Sequence, residues 1–448
     1  MQGTHRLLLK GGKVICPFSG LKGDPLDILV ARGRIEKLGR GLRSEGARVL
    51  DLSGLYVSPG WLDAHVHLRE PGREDEETVA SGRMAALAGG FTAVCCMPNT
   101  DPPVDCAAVA EDIAGKAAQG EGADVFCVGA ATVGRKGLRL VDMGEMHASS
   151  ARVRAFSDDG ACIQSAAVMR RALEYVRLFD GVIVSHCEDE SLSAGGQVRE
   201  GPCSFRLGLR GYPAAAEEVM VARDLLLAEL TGSRLHLAHL SSRRSVEMLR
   251  EAKQRGVRVT AEVTPHHLFF TYEDVDGLDA CFKVNPPLGS REDREALRRA
   301  LAEGVIDAVA SDHAPHAPEE KEREFVNAAF GMIGLETAFS ACCTALLGQG
   351  GMDVFTLVER MTRGPAAALG LEPPDYGEGV REGARADLVA FDPYAEREVK
   401  AENFLSRSRN CPFDGMRLKG RVELVVKKGR PFFPGGDRWP AGERRVRR

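Results

Sequence analysis

The sequence predicts a (β/α)8 barrel joined to a small β domain. Eight apolar segments with strand character lie between residues 57 and 312, helical patterns separate most of them, and both ends of the chain are rich in short strands. Strands that alternate with helices form parallel sheets, and eight such units close a barrel. An open doubly wound sheet is the alternative, because the strand count decides between the two folds.

The elements of the predicted barrel can be placed in order along the chain. Its strands span residues 57–66, 91–97, 124–130, 153–157, 181–187, 234–240, 257–264 and 306–312. The helical pattern EETVASGRMAALA runs into the Gly89–Gly90 pair, a natural helix end, and Ser290 and Asp293 stand at capping-box spacing before another helix. The helix between the third and fourth strands has the weakest pattern.

Both ends of the chain show short alternating strands broken at glycines, such as LLLKGGKVIC near the start and LKGRVELVVKKGRPFF near the end. We therefore expect residues 1–57 and 366–448 to form one composite β domain. Residues 58–365 are then the catalytic barrel.

Composition narrows the classes of function. The net charge of −5 and a pI near 6.2 give no basic surface for nucleic acid. No apolar run reaches the roughly 20 residues that cross a membrane, and the three leucines near the N-terminus are too few for a signal peptide. The 12 cysteines include no C-x-x-C pair, which predicts buried reduced thiols in a cytoplasmic protein.

Metal-ligand residue types stand at the ends of five predicted strands. In a barrel of this kind the carboxyl ends of the strands form the active site. The candidates are His65 and His67 on strand one, Asp158 and Asp159 on strand four, His186 on strand five, His239 on strand six and Asp312 on strand eight. One isolated histidine is weak support for a metal site, but convergence from five strands is strong. Four histidines with two carboxylates, namely Asp312 and one of the adjacent pair, suit one or two zinc-like ions.

Side-chain alternation along a strand refines this set. His65 and His67 are two residues apart and share one strand face, as does Arg69. On strand four the same rule favours Asp159 over Asp158 as the inward ligand, although a β-bulge would invert that choice.

The remaining histidines are assigned separately. His236 precedes His239 by three residues and is expected on the opposite face in a structural role. His313 is expected near the ligands without being one of them. His266 and His267 follow strand seven near the barrel mouth, and neither is assigned a role.

Seven motifs together resemble a known family. HVHLREPG, CMPNT, FSDDG, SHCED, AHLS, VNPPL and SDHAPH resemble, in order and spacing, the signatures of dihydroorotases in the amidohydrolase superfamily. The likeness is greatest to the bacterial class that has an aspartate where many relatives carry a carboxylated lysine. It runs from about Ser58 to Gly364, and the β-rich ends resemble the family's split second domain.

The resemblance implies a metal-dependent enzyme that interconverts dihydroorotate and N-carbamoyl-aspartate. It implies that one zinc ion is held by His65, His67 and Asp312, a second by His186 and His239, with Asp159 between them. Asp312 would also be the general base. The positions that match substrate-binding residues of the family are His67, Arg69, Asn99, Asn285, His316, Phe330 and Gly331.

Two other functions remain open from the sequence. A hydantoinase or allantoinase would open a related cyclic ureide, but Arg69 suits a small anionic substrate better. A silent dihydroorotase-like subunit could instead scaffold aspartate carbamoyltransferase, although every ligand position is filled. A homo-oligomer is expected in either case.

Taken alone, Arg69 has a simpler explanation than substrate binding, which is an ion pair with Glu70 or Glu74.

Overall fold

The N-terminal part of the chain forms β-strands that alternate between buried and exposed residues. The structure is a computed structural model that describes residues 6–43, 46–348 and 351–435. The first strands are β1 (Leu7–Cys16), β2 (Leu21–Ala31), β3 (Arg34–Gly39), β4 (Arg48–Asp51) and β5 (Tyr56–Pro59). Antiparallel pairing joins β1 to β2 and β2 to β3, whereas β4 and β5 run parallel to β1.

Within the described residues, eight parallel strands follow and form the barrel. The barrel strands are β6 (Trp61–Val66), β7 (Phe91–Cys96), β8 (Asp124–Gly129), β9 (Ala155–Phe156), β10 (Val182–Ser185), β13 (Arg234–Leu237), β14 (Val259–Val263) and β15 (Ala308–Val309). Between β10 and β13 the chain forms a separate short pair, β11 (Val198–Arg199) and β12 (Gly211–Tyr212). A parallel bridge between Val66 and His313 brings the first and last strands together. The predicted barrel fold is confirmed.

In the part of the chain that the structure describes, helices separate the barrel strands along the chain, and the last four follow the final barrel strand. Their bounds are α1 (Val79–Ala88), α2 (Ala107–Ala117), α3 (Met143–Ala148), α4 (Ala166–Val176), α5 (Glu190–Ser193), α6 (Pro202–Leu207), α7 (Ala215–Thr231), α8 (Arg243–Gln254), α9 (Pro265–Phe269), α10 (Arg291–Glu303), α11 (Pro318–Lys321), α12 (Ala338–Leu346), α13 (Val354–Arg360) and α14 (Arg363–Leu369). The predicted stop at Gly89 and the capping box of Ser290 and Asp293 are both present. The weakest predicted helix, α3, has only six residues.

The C-terminal strands complete the sheet that the N-terminus begins. They are β16 (Leu388–Glu398), β17 (Arg417–Lys427) and β18 (Arg430–Phe432). The sheet order is β18-β17-β16-β5-β1-β2-β3, with β4 beside β1, so β16 and β5 join the two ends of the chain. The boundaries of the composite domain stay a prediction, and its residues 1–5 and 436–448 lie outside the described residues.

The predicted first barrel strand is divided in two at Gly60. Residues 56–59 belong to the terminal sheet, and Trp61 begins the barrel. A Cβ at Gly60 would lie 2.1 Å from Thr92 Cγ2, so only glycine fits where the chain passes from one sheet to the other.

The buried residues include an apolar cluster inside the barrel and most of the cysteines. Side chains of the barrel strands, including Leu62, Ala93, Val128 and Val184, form one buried cluster inside the barrel. Ten of the 12 cysteines are buried, and all 12 are free thiols. Among the described residues, no helix combines the length and the apolar character needed to cross a membrane.

Candidate active site

The predicted ligands lie at or just beyond the carboxyl ends of five barrel strands. All of them are buried. His65 is in β6 and His67 follows it, and the others follow β9, β10, β13 and β15: Asp159, His186, His239 and Asp312. Parallel strands aligned in a barrel therefore bring residues that are far apart in sequence to one mouth.

One group of ligands forms around the two histidines of strand one. His65 Nε2 lies 3.3 Å from Asp159 Oδ1, and His67 Nε2 lies 3.6 Å from Asp159 Oδ2. Asp312 Oδ1 lies 3.0 Å from His67 Nε2 and 3.7 Å from His65 Nε2. The side chains of His65, His67, Asp159 and Asp312 therefore converge on one position.

The second group shares Asp159 with the first. His186 Nδ1 and His239 Nε2 lie 2.9 Å apart, and each is 3.6 Å from Asp159 Oδ1. The ligand atoms of His65, His67 and Asp159 lie within 4.8 Å of one another. The same holds for Asp159, His186 and His239. Asp159 therefore stands between two sets of imidazoles.

Hydrogen bonding alone leaves this cluster unsatisfied. His65 Nε2 and Asp159 Oδ1 are buried without a hydrogen-bond partner among the described residues. Buried polar atoms are normally bonded, so such orphans require a partner. Burial would raise the pKa of Asp159, but the positive charge of His65, with a smaller effect from that of His67, lowers it well below its usual range. An ionised carboxylate among imidazole nitrogens is a donor set that fits a divalent metal ion.

Two of the predicted ligands are held in unusual backbone conformations. His239 has φ +30° and Asp312 has φ +47°. Non-glycine residues at positive φ cost of order 1–3 kcal/mol and concentrate at functional sites. The residue before Asp312 is anchored, because the Ser311 N–H donates to Asp63 at 3.0 Å.

Asp158 and Asp159 have different environments. Asp158 Oδ1 accepts the backbone N–H groups of Ala131 and Thr132 at 2.9 Å each, and its other oxygen accepts the Thr132 hydroxyl. Asp158 thus fastens strand four to the loop after β8, whereas Asp159 points into the histidine cluster.

A buried glutamate that the sequence analysis missed orients His65. Glu262 Oε1 lies 2.7 Å from His65 Nδ1, and its Oε2 lies 3.0 Å from His236 Nε2. Burial would raise the pKa of Glu262, but the charge of His65 and the hydrogen bond of His236 lower it to about 2. With Nδ1 bound to the carboxylate, Nε2 of His65 is directed at Asp159. The signal in the sequence was a lone acidic residue in the apolar strand VTAEV.

We expect Glu262→Gln to lower metal affinity about 10- to 100-fold, because carboxylates that fix a ligand imidazole have effects of this size. Metal titration against a competing chelator measures the change. The half-buried Glu336 accepts the N–H groups of Leu405 and Ser406 and offers a matched control. Glu336→Gln should leave metal affinity unchanged; equal losses in both variants would refute a specific role for Glu262.

His186 has an orienting carboxylate of its own. Its Nε2 lies 2.9 Å from Glu188 Oε2, which also accepts Asn285 Nδ2 at 2.8 Å. Burial acts to raise the pKa of Glu188, yet hydrogen bonding to His186 and that residue's charge lower it to about 2. Glu188 thereby leaves Nδ1 of His186 facing Asp159 and His239. The sequence analysis quoted the SHCED motif but assigned no role to this glutamate.

A cavity of about 770 Å³ opens above the cluster. It is lined by five of the six predicted ligands, and His65 lies beneath them. All the predicted substrate-binding residues also line it: His67, Arg69, Asn99, Asn285, His316, Phe330 and Gly331. The structure therefore brings both predicted sets of residues to one cavity.

Arg69 is turned toward this cavity by a left-handed backbone, with φ +62°. Its Nε lies 3.0 Å from both the Pro315 carbonyl and Glu76 Oε2. Its partner is therefore Glu76 and neither of the two glutamates considered from sequence. Glu70 instead pairs with Lys116.

Two buried lysines hold the segment that carries Phe330 and Gly331. Lys283 Nζ donates to the carbonyls of Phe325 and Ala328 at 2.7 Å and lies 4.5 Å from the Phe330 ring centroid. Lys321 Nζ donates to the Gly331 carbonyl at 2.8 Å. Burial lowers the pKa of each lysine to about 8. These ammonium groups were not assigned from sequence, since their carbonyl partners depend on the path of the loop.

The other histidines lie outside the ligand set. His313 Nε2 lies 3.3 Å from Glu77, near the ligands but directed away from Asp159. His267 Nε2 lies 3.0 Å from the Pro286 carbonyl. Burial lowers the pKa of His266 to about 4. Neither His266 nor His267 lines the cavity.

Comparison with solved structures supports the class. The fold is similar to that of L-hydantoinase (dihydropyrimidinase) from Arthrobacter aurescens, with a TM-score of 0.84, 26% identity and 96% of each chain covered. The barrel, its terminal sheet and the histidine–aspartate cluster define a cyclic amide hydrolase of the amidohydrolase superfamily.

Sequence comparison identifies the family. A family model described as dihydro-orotase-like matches residues 54–245. Dihydroorotase of Pelotomaculum thermopropionicum is 49% identical over 427 residues, which covers 95% of this chain and 98% of that protein. Dihydroorotase of Streptomyces coelicolor is 46% identical, with 96% and 99% covered. The chain belongs to the dihydroorotase family, and the resemblance seen in its motifs is confirmed.

Proposed function

We propose that this chain catalyses the reversible hydrolysis of (S)-dihydroorotate to N-carbamoyl-L-aspartate, a step in the biosynthesis of pyrimidines. Ring opening breaks the amide C–N bond, places the water oxygen on the carbonyl carbon and a proton on the ring nitrogen, and yields a second carboxylate. The observation that carries the proposal is the convergence of six ligand-type residues beneath a cavity that Arg69 also lines.

The ligand roles follow from the two groups around Asp159. His65, His67 and Asp312 are proposed to hold one zinc ion, His186 and His239 a second, with Asp159 shared. Imidazole nitrogens mixed with carboxylates suit zinc better than the all-oxygen sites of magnesium. When bound, zinc lowers the pKa of its water to about 7 and polarises a carbonyl.

Asp312 is proposed as the general base. Burial alone would raise the pKa of its carboxyl, but the hydrogen bond of His67 and the charge of His65 hold it below its usual range. The carboxylate is therefore ionised and able to accept the proton of the attacking water at an oxygen. The same group can return that proton to the ring nitrogen as the amide breaks.

The substrate carboxylate is proposed to bind Arg69, Asn99 and His316 on one side of the cavity. A guanidinium offers a planar fork for a carboxylate. Asn99 is held in place because its Oδ1 lies 2.7 Å from His67 Nδ1. On the other side, Asn285 Oδ1 is buried without a partner among the described residues and can accept a ring N–H.

Phe330 and Gly331 are proposed to contact the substrate ring. Gly331 has φ +134°, and a Cβ there would lie 2.8 Å from Ala314 Cβ and 2.9 Å from His316 Nε2. Only glycine allows this segment to approach the cavity so closely.

The assignment of Asp159 can be tested against Asp158. Asp159→Asn should abolish tight metal binding, because it removes a charge shared by both ligand groups. Asp158→Asn should retain metal but lower stability by about 1–3 kcal/mol, since it weakens buried hydrogen bonds. Metal analysis and thermal unfolding of both variants measure this difference; metal loss in Asp158→Asn alone would reverse the assignment.

The reaction itself is tested by supplying dihydroorotate, hydantoin and allantoin to the zinc-loaded protein. We expect turnover of dihydroorotate alone. Ring closure of N-carbamoyl-aspartate should be favoured as pH falls, because closure consumes a carboxylate and a proton. Turnover of hydantoin without dihydroorotate would support the alternative that the hydantoinase-like fold suggests.

The cellular setting belongs to the same proposal. We expect a cytoplasmic homo-oligomer, and the many buried free thiols support a reducing compartment. A complex with aspartate carbamoyltransferase is compatible with catalysis. Light scattering of the chain alone and with that enzyme measures both assemblies.

A further inference from the structure

His316, at the side of the cavity, faces hydrogen-bond acceptors at both ring nitrogens. Its Nδ1 lies 2.8 Å from Glu320 Oε2 and 3.2 Å from Glu76 Oε1. Its Nε2 lies 2.8 Å from the Phe330 carbonyl oxygen. A neutral imidazole carries one N–H, so it would leave a nitrogen lone pair directed at an oxygen lone pair. Two protons satisfy every contact.

The neighbouring Arg69 guanidinium does not alter the conclusion that both ring nitrogens of His316 carry a proton. Arg69 Nη2 lies 3.5 Å from His316 Nε2, at the outer limit of a hydrogen bond. The 2.8 Å contact with the Phe330 carbonyl is far more favourable, and it requires Nε2 to donate. Nε2 of His316 is therefore an N–H group, and Nδ1 is another because carboxylates surround it.

His316 belongs to a cluster of five charged side chains whose net charge depends on its second proton. Glu76 contacts Arg69 Nε at 3.0 Å and Arg73 Nη2 at 2.9 Å, and Glu320 contacts Arg73 Nη2 at 2.7 Å. Two guanidinium groups and two carboxylates cancel. The second proton of His316 therefore gives this five-residue cluster a net charge of +1. Of its members, Arg69 and His316 line the cavity.

We propose that Glu76 and Glu320 are positioning residues that hold His316 as an imidazolium, so that a net positive charge beside Arg69 selects substrates with a carboxylate. This inference rests on the proposed function and specifies the charge state on which its substrate selection depends. Neither glutamate lines the cavity. Both glutamates act through Arg69 and His316, which line the cavity.

The charged groups near the imidazole are Arg69 and Glu76 from the segment after β6 and Glu320 from α11, with Arg73 bridging the glutamates. Behind the Phe330 segment, the Lys321 ammonium donates to Gly331.

The first test compares Glu320→Gln with Glu319→Gln in dihydroorotate ring opening. Glu319 is an exposed neighbour on α11, so its substitution removes the same charge without touching His316. Near neutral pH, Glu320→Gln should raise KM about tenfold and change kcat by less than about twofold, equivalent to ~1.4 kcal/mol of binding. Glu320→Asp should restore much of the affinity, because it keeps a carboxylate at this position.

The second test observes the imidazole directly. In protein labelled with ¹⁵N-histidine, the His316 resonances are assigned by their loss in His316→Asn. At neutral pH we expect shifts typical of protonation at both ring nitrogens. An unprotonated ring nitrogen would overturn the inference, as would equal KM values for Glu320→Gln and Glu319→Gln. If wild type failed to open dihydroorotate, the proposed function would fail, whereas the ¹⁵N shifts would still decide the charge of His316.

Discussion

Replacing Asp312 by asparagine is expected to lower kcat about 10²- to 10⁴-fold, the usual contribution of a positioned general base. Asparagine keeps the shape of the side chain but cannot accept a proton at its amide. The Asp312 carboxylate lies 3.0 Å from His67 Nε2 and lines the cavity. Among the described residues that line the cavity, Asp159 and Asp312 are the only carboxylates, and Asp159 is shared by both groups of predicted ligands.

Two controls make the Asp312 result interpretable. Metal content must be measured, because a variant that lost its ion would be inactive for another reason. Asp112→Asn removes a half-exposed carboxylate that pairs with Lys116 on α2, and its activity should equal that of wild type. Full metal content with kcat within tenfold of wild type would sink the general-base assignment.

The predicted ligands could be grouped at one mouth because a parallel barrel converts sequence order into geometry. Each strand brings its carboxyl end to the same mouth, so His65, His186, His239 and Asp312 could be grouped without knowing any contact. The family motifs then supplied the residues on loops, such as His316. Neither step required a side-chain distance.

Side-chain alternation was less reliable near the strand ends. His236 was expected on the opposite strand face in a structural role, and it bonds Glu262, which in turn bonds His65. Strand β13 ends at Leu237 and His239 has φ +30°, so the two-residue period does not extend from one histidine to the other. Asp159 also lies past the end of β9, and its inward direction comes from the loop.

The orienting carboxylates could not be located from sequence alone. Glu262 is 197 positions from His65, and nothing local records that their strands bring them within 2.7 Å. Glu76 likewise replaces Glu70 and Glu74 as the partner of Arg69, because the left-handed turn at Arg69 redirects the chain. Such pairs are properties of the packed barrel, and they fix how the ligands and the guanidinium point.

Arg69→Met is expected to raise KM for dihydroorotate about 10- to 100-fold while changing kcat and metal content much less. A charge-assisted hydrogen bond contributes about 1.5–3 kcal/mol, and each 1.4 kcal/mol is a factor of ten. Methionine keeps the apolar stem of Arg69 and removes the fork that would meet the carboxylate. Arg69→Lys should restore little of the affinity, since one ammonium cannot reproduce two parallel hydrogen bonds.

The matched comparison is Arg73→Met, which removes a guanidinium that pairs with the same Glu76 but does not line the cavity. Its KM should rise much less than that of Arg69→Met, because only Arg69 can reach a bound carboxylate. Steady-state kinetics, metal analysis and thermal unfolding of both variants separate binding from structure. If Arg69→Met lost its metal or unfolded at a much lower temperature while KM stayed the same, Arg69 would act by holding Glu76 and the Pro315 carbonyl in place, and the selection of an anionic ring would belong to other residues.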